Sequence, residues 1–199
     1  MDPFYLFLHQ HAIVHSAEVG QTGGWSMADS VLKGLTEEQM RASPGAGMNS
    51  IVWIFWHMAR TEDVAVSTLI AARPQVLSEG DWIARLNLSR YDIGTSMNDE
   101  EVRGISEQID IPTLVAYRNA VGRRTREIVQ HLNMGELDEP VNTTLAEGLV
   151  SDGMLAEGAR YVARFWGSEK KATILALPAS GHCFMHLSEA VMVRRLVTR

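Results

Sequence analysis

Along most of this chain the apolar residues recur at helical rather than alternating spacing. Asp2-Pro3 supplies a cap and a first-turn proline, predicting a helix whose pattern runs to about Leu32. Gly20, Gly23 and Gly24 interrupt that pattern, so a bend or break is expected near Gly23. Ser43-Pro44-Gly45-Ala46-Gly47 has the composition of a loop. Asn49 or Ser50 can then cap a second long helix through about Ala72, with Ile51, Ile54, Phe55, Met58, Ala65 and Leu69 inside, ended by Arg73-Pro74. Residues 75–110 are less regular, with short helices expected from Asp81-Trp82 and from Asn98 to Glu101. Ile111-Pro112 opens a third long helix to about Leu132, whose inner face is Leu114, Val115, Val121, Ile128, Val129 and Leu132. A looser segment, 133–158, carries four glycines and Pro140; short helical pieces follow at Ala159–Trp166 and Ser168–Leu177. Pro178 opens a last helix that ends near Val197. Strand signals are few, confined to ambiguous runs such as Thr143–Val150. Four long helices with irregular connections predict an all-α, four-helix bundle with crossovers, one domain over residues 1–199, and an irregular insertion before the last long helix.

Composition narrows the partners. At 46% hydrophobic and 21% charged residues the 199-residue chain is ordinary for a globular protein with a substantial core. A net charge of −6 advertises no basic field, so no nucleic-acid partner is expected. The single cysteine, Cys183, excludes an internal disulfide and a cysteine zinc finger and suits a reducing cytoplasm. The apolar run Ile51–Trp56 is far short of the ~20 residues that span a bilayer, and the N-terminus has no basic n-region, so a cytoplasmic protein without a membrane partner is expected.

The candidate chemistry lies in the seven histidines. Two pairs have the i, i+4 spacing that stacks side chains on one helical face: His11 with His15, and His182 with His186. Such a pair can grip one metal ion and leave room for a third ligand. The later pair lies in an apolar helix among Phe184, Met185, Leu187 and Val191, with Glu189 three residues on, where a carboxylate can orient an imidazole. His57, inside the strongly apolar second helix, is the natural third ligand. His11 and His15 are expected at the surface or an interface, and His9 and His131 carry no pattern. The zinc-protease signature His-Glu-x-x-His is absent. Glu62 and Asp63 do not lie beside His57 on a helix and are expected as salt-bridge partners or exposed charges. Arg60 is a candidate anion contact, with an outward salt bridge as its plainer role. Cys183 points about 100° away from His182 and is expected to be a buried, inert thiol.

The run Asn49-Ser50-Ile51-Val52-Trp53-Ile54-Phe55-Trp56-His57-Met58-Ala59-Arg60, together with Gly181-His182-x-x-x-His186-Leu187-Ser188-Glu189-Ala190, resembles the DinB/YfiT-like superfamily of metal-binding four-helix bundles. The resemblance covers essentially the whole chain in helix order. It implies His57, His182 and His186 as ligands of a divalent ion, zinc or nickel by donor type, with Glu189 behind them. It also implies a homodimer and a small-molecule substrate. Members with known activity use low-molecular-weight thiols such as mycothiol or bacillithiol in S-transfer or isomerisation, so a thiol S-transferase is the leading expectation. A metal-dependent hydrolase, with Glu189 as base, and a non-catalytic metal-binding protein are the alternatives. The segment 133–177 is longer than the simplest family pattern requires and is expected to form a wall or lid over the site.

Overall fold

The computed structural model describes residues 2–21 and 24–199. Among these the secondary structure is helical, with one isolated bridge, Pro140 to Lys170, in place of any strand. Four helices organise the rest: α1 (Pro3–Val14), α2 (Ile51–Glu62), α3 (Ile111–His131) and α4 (His182–Val197).

The first helix is shorter than its apolar pattern. It stops at Val14 because His15 turns to extended backbone and Ser16 begins a new helix, Ala17–Gly20, its Oγ accepting from the Val19 N–H. A further helix, Met27–Leu32, follows; Gly23 lies outside the described residues. The break expected near Gly23 is thus preceded by one at His15-Ser16, where a good cap outweighs continued periodicity.

The second helix starts where a Ser50 cap predicts, with Ser50 Oγ accepting from the Trp53 N–H. All of its residues from Ile51 to Glu62 are buried, as expected for a helix apolar on every face. It packs on both α3 and α4, and α1 reaches α3 and α4 as well. Beyond Glu62 the chain does not stay α-helical. Residues Asp63–Ile70 wind as a π-helix, a device that periodicity does not announce. Asp63 anchors it: its carboxylate accepts from the backbone of Val76 and Leu77 and from the Ser67 and Tyr117 hydroxyls.

Arg60 is fully buried rather than outward, donating to Asp63, Tyr117, Gln75 and the Tyr91 carbonyl. That corrects both of its expected roles, since this network holds it away from any anion in the histidine cavity. On α3, Leu114, Val121, Ile128 and Val129 are buried while Val115 and Leu132 are only partly so.

The segment 133–177 is more ordered than its glycines suggest. It holds helices Met134–Leu137, Thr143–Ser151, Arg160–Gly167 and Lys171–Ala176. Thr143–Val150, ambiguous in sequence, is helical, capped by Asn142. This segment packs on the π-helix and forms a second part of the core with Val66, Leu69, Leu149, Trp166 and Ile174. The last helix does not begin at Pro178. Leu177–Gly181 forms a π turn, and α4 starts at His182. Pro178 lacks an N–H for the ladder, and a Cβ on Gly181 would lie 3.1 Å from the Ala176 carbonyl, so proline and glycine both suit this irregular turn.

Candidate metal centre

The structure brings His57, His182 and His186 together. One ring nitrogen from each lies within 4.8 Å of the other two. His57 comes from the middle of α2, and His182 and His186 from the first turns of α4, one above the other. The three rings meet edge to face, with centroids 4.5–4.9 Å apart. Trp53, one turn before His57, stacks on its imidazole with centroids 4.7 Å apart and planes 11° off parallel.

Hydrogen bonds behind the rings decide which nitrogen faces the centre. His57 Nδ1 donates to the carbonyl of Ile93. His186 Nδ1 donates to Glu189 Oε2 at 2.7 Å, and Glu189 Oε1 in turn accepts from Asn49 Nδ2 at 2.8 Å. With Nδ1 engaged from behind, each of these imidazoles has Nε2 left to face the centre. His57 Nε2 stands 3.1 Å from His182 Nε2. Two nitrogens about 2.0–2.1 Å from a shared ion stand roughly 3.0–3.4 Å apart, so this spacing fits a divalent cation between them.

Charge state agrees. Burial, then the neighbouring His186, lowers His57 to about 4; burial, then His57 and His186, lowers His182 to about 2. Burial opposes charge on Glu189, but the hydrogen bonds from His186 and Asn49 hold it below the usual carboxylate range. His57 and His182 are thus neutral at neutral pH, and an anionic carboxylate stands behind His186. That is the state a cation needs.

Above the triad opens a cavity of about 530 Å³. Its floor is the three histidines, and its walls are Ile93, Thr95, Leu177, Pro178, Met185 and the helix Arg160–Gly167, which contributes Tyr161, Val162, Phe165 and Trp166. The segment expected as a wall or lid does supply one wall. No lysine, arginine, aspartate or glutamate lines the cavity among the described residues. Tyr161, Phe165, Leu177 and Met185 stay largely exposed at its mouth.

Several participants were not singled out in the sequence. Asn49 was read there only as a possible helix cap, and a carbonyl such as that of Ile93 leaves no side-chain signature. Ile93 is held in place by its own N–H, which donates to the Met154 carbonyl at 3.2 Å.

The other histidine pair is not at the surface. His11 and His15 are both fully buried, and their Nε2 atoms donate to the two oxygens of Glu62, at 2.9 and 2.7 Å. This corrects the expected surface placement and gives Glu62 a buried partnership. His11 lies on α1 but His15 follows it in extended backbone; their rings still stack, and only packing shows that they meet α2. Burial opposes charge on Glu62, yet the two imidazoles hold its carboxyl well below the usual range, while burial drives His15 down to about 3. Cys183, next to His182, faces this cluster; burial, then the nearby Glu62 charge, pushes its thiol up to about 12, as suits an unreactive sulfur.

An all-α fold with three convergent imidazoles, one from a central helix and two from the start of the last, is a DinB-like arrangement. The model of the DinB superfamily matches residues 22–190, and the chain belongs to that superfamily. Among solved structures it is similar to one described as the conserved protein of locus from Enterococcus faecalis, with a TM-score of 0.66 and 16% identity over 100% of this chain and 98% of that one. At that identity the likeness speaks for the fold alone. No curated protein matches the sequence. Among the described residues no helix is long and apolar enough to cross a membrane.

Proposed function

We propose that the chain is a divalent-metal-dependent enzyme that transfers a small thiol to an apolar electrophile, with His57, His182 and His186 as the metal ligands and Glu189 as the carboxylate that orients His186. One observation carries the reading: three imidazoles converge on the floor of an open, apolar cavity. A structural site would instead be closed by a fourth protein ligand. When bound, zinc or nickel there supplies Lewis-acid activation of the nucleophile at neutral pH.

The chain's own residues do the rest. Trp53, the Ile93 carbonyl and Glu189 fix the orientation of the ring nitrogens. Tyr161, Phe165, Trp166, Leu177 and Met185 hold an uncharged substrate and exclude water from it. The thiol sulfur forms the new bond to carbon, the leaving group or opened ring takes the displaced electron pair, and the thiol proton passes to solvent. With no charged side chain in the lining, the charged groups of the thiol are left to the solvent-facing mouth.

Hydrolysis is less well supported, because it wants a free general base. Glu189, the carboxylate next to the triad, has one oxygen on His186 and the other on Asn49. The same reading includes one domain over 1–199 built on a four-helix bundle, a cytoplasmic location in keeping with the single cysteine, and a homodimer. Such a dimer has the exposed Phe184, Met185, Met192 and Leu196 of α4 available to bury.

The test is metal content by elemental mass spectrometry on tag-free protein prepared without a nickel column, followed by thiol consumption with apolar electrophiles. Near-stoichiometric metal and metal-dependent loss of thiol are expected. A folded protein that takes up neither zinc nor nickel sinks the reading. Metal without turnover of any thiol leaves the non-catalytic alternative.

A further inference from the structure

We infer that His11, His15 and Glu62 form a second divalent-cation site, sealed in the core and structural in role. It repeats the construction of the first. There an i, i+4 histidine pair on α4 meets one residue of α2, His57; here His11 on α1 and His15, in extended backbone just past its end, meet another residue of α2, Glu62, five positions on. Five residues turn a helix by about 140°, so α2 presents one donor to each side.

The donor geometry is close to what an ion needs. One donor atom from each of the three residues lies within 4.8 Å of the others, and the imidazole rings stack with centroids 4.2 Å apart. The Nε2–oxygen distances of 2.9 and 2.7 Å are a few tenths of an ångström below the spacing around a shared ion, a gap that a small side-chain rotation of Glu62 closes. Two imidazoles and one carboxylate are a donor set that holds zinc. Cys183 Sγ, 3.9 Å from Glu62 Oε2, is a further soft donor beside the carboxylate.

Two features of the surroundings favour a cation over a plain hydrogen-bonded cluster. The first is charge. Among the described residues no lysine or arginine nitrogen lies within 4.0 Å of the Glu62 carboxylate, and Arg118 nearby donates instead to the Val14 carbonyl. A carboxylate buried without a lysine or arginine partner is costly, and a divalent ion removes that cost. The second is fit. A Cβ on Gly122 would lie 2.5 Å from His15 Nδ1, so the chain has glycine where the ring must pass. With all three residues fully buried, the ion enters during folding and stays closed off from solvent and substrate.

The experiment uses the full chain carrying His57→Ala, His182→Ala and His186→Ala together, unfolded and refolded in excess zinc, desalted, and analysed for zinc per chain with circular dichroism as the check on folding. One zinc per chain is expected, lost when Glu62→Gln is added, and the melting temperature of the triad variant should fall when refolding is done in chelator. Cobalt(II) in place of zinc should give visible absorption bands in the triad variant that disappear with Glu62→Gln. A folded triad variant free of zinc after this treatment overturns the second site and leaves the first untouched. Wild-type protein whose only zinc survives loss of the triad, but not loss of Glu62, upholds the second site and overturns the first. If the triple variant does not fold, His186→Ala alone, refolded the same way and stripped at its open site by a brief chelator wash, gives the same readings.

Discussion

The two histidine clusters are built alike and placed differently. Each sets two histidines four residues apart, one pair on α4 and the other at the end of α1, against one residue of α2. The triad faces a cavity of about 530 Å³, and hydrogen bonds to the Ile93 carbonyl and Glu189 fix two of its rings. The His11–His15–Glu62 cluster is fully buried, and among the described residues neither of its Nδ1 atoms has a partner. Similar donors can therefore serve opposite ends: where rings are oriented from behind and open in front, chemistry is possible, and where they are enclosed, the donors hold the fold together.

The sharpest way to break this comparison is Glu62→Ala set against His186→Ala, both in chelator. Glu62→Ala strips two buried imidazoles of the carboxylate they share and leaves a void, so a loss of about 3–5 kcal/mol is expected. His186→Ala, at the cavity floor, should cost under about 1 kcal/mol. Urea denaturation measures both, and equal losses would show that the two clusters do not differ in role.

Next comes Glu189→Gln, which weakens the acceptor behind His186 without emptying its place. Metal affinity at the triad should fall roughly 10–100-fold, read by competition with a chromophoric chelator, with the fold unchanged. An unchanged affinity would mean that orientation from behind is not what separates the triad from the sealed cluster.

Acid tests the sealed side. In the unfolded chain His15 titrates near 6.5, but in the fold, packed against Glu62, His11, Arg118 and Cys183, it titrates at about 3. Below pH 6.5 the unfolded state therefore takes up a proton that the folded state refuses. Stability of the metal-free protein, full above that pH, should fall by about 1.4 kcal/mol per pH unit from this residue on the way towards 3. His57 and His182, lowered to about 4 and about 2, add losses of the same sign, which the double variant His57→Ala with His182→Ala removes. Denaturation of that variant between pH 7 and 4.5 isolates the sealed cluster, and a flat profile would refute its buried neutral state.

The smallest effect on stability is expected at the cavity mouth. Phe165 is 44% exposed, so Phe165→Ala should cost no more than about 0.5 kcal/mol while raising KM for an apolar substrate. A large loss of stability would mean that this wall is core rather than binding surface.

Local chemistry made much of this protein legible from its sequence. The caps at Asp2 and Ser50, the Ile111-Pro112 start and the period of the apolar residues located the main helices, because capping and burial of one face act over a few residues. The same spacing marked both histidine pairs as able to share a metal ion, while His57, which the structure brings to the cavity with His182 and His186, was legible from its apolar helix and the family resemblance. Tertiary packing decided the rest. Which pair opens to the cavity and which is sealed depends on the surface that each helix meets. That choice is made by residues far away in the chain, Glu62 for one pair and the wall at Arg160–Gly167 for the other. The π turns at Asp63–Ile70 and Leu177–Gly181, which begin close to Glu62 and end just before His182, answer to packing and to a missing proline N–H rather than to any period. Arg60 reads as a surface charge in the sequence and becomes a core residue only because Asp63, Tyr117 and Gln75 converge on it. Spacing along a helix fixes which side chains stand together, whereas the environment that gives them a role is assembled from the whole chain.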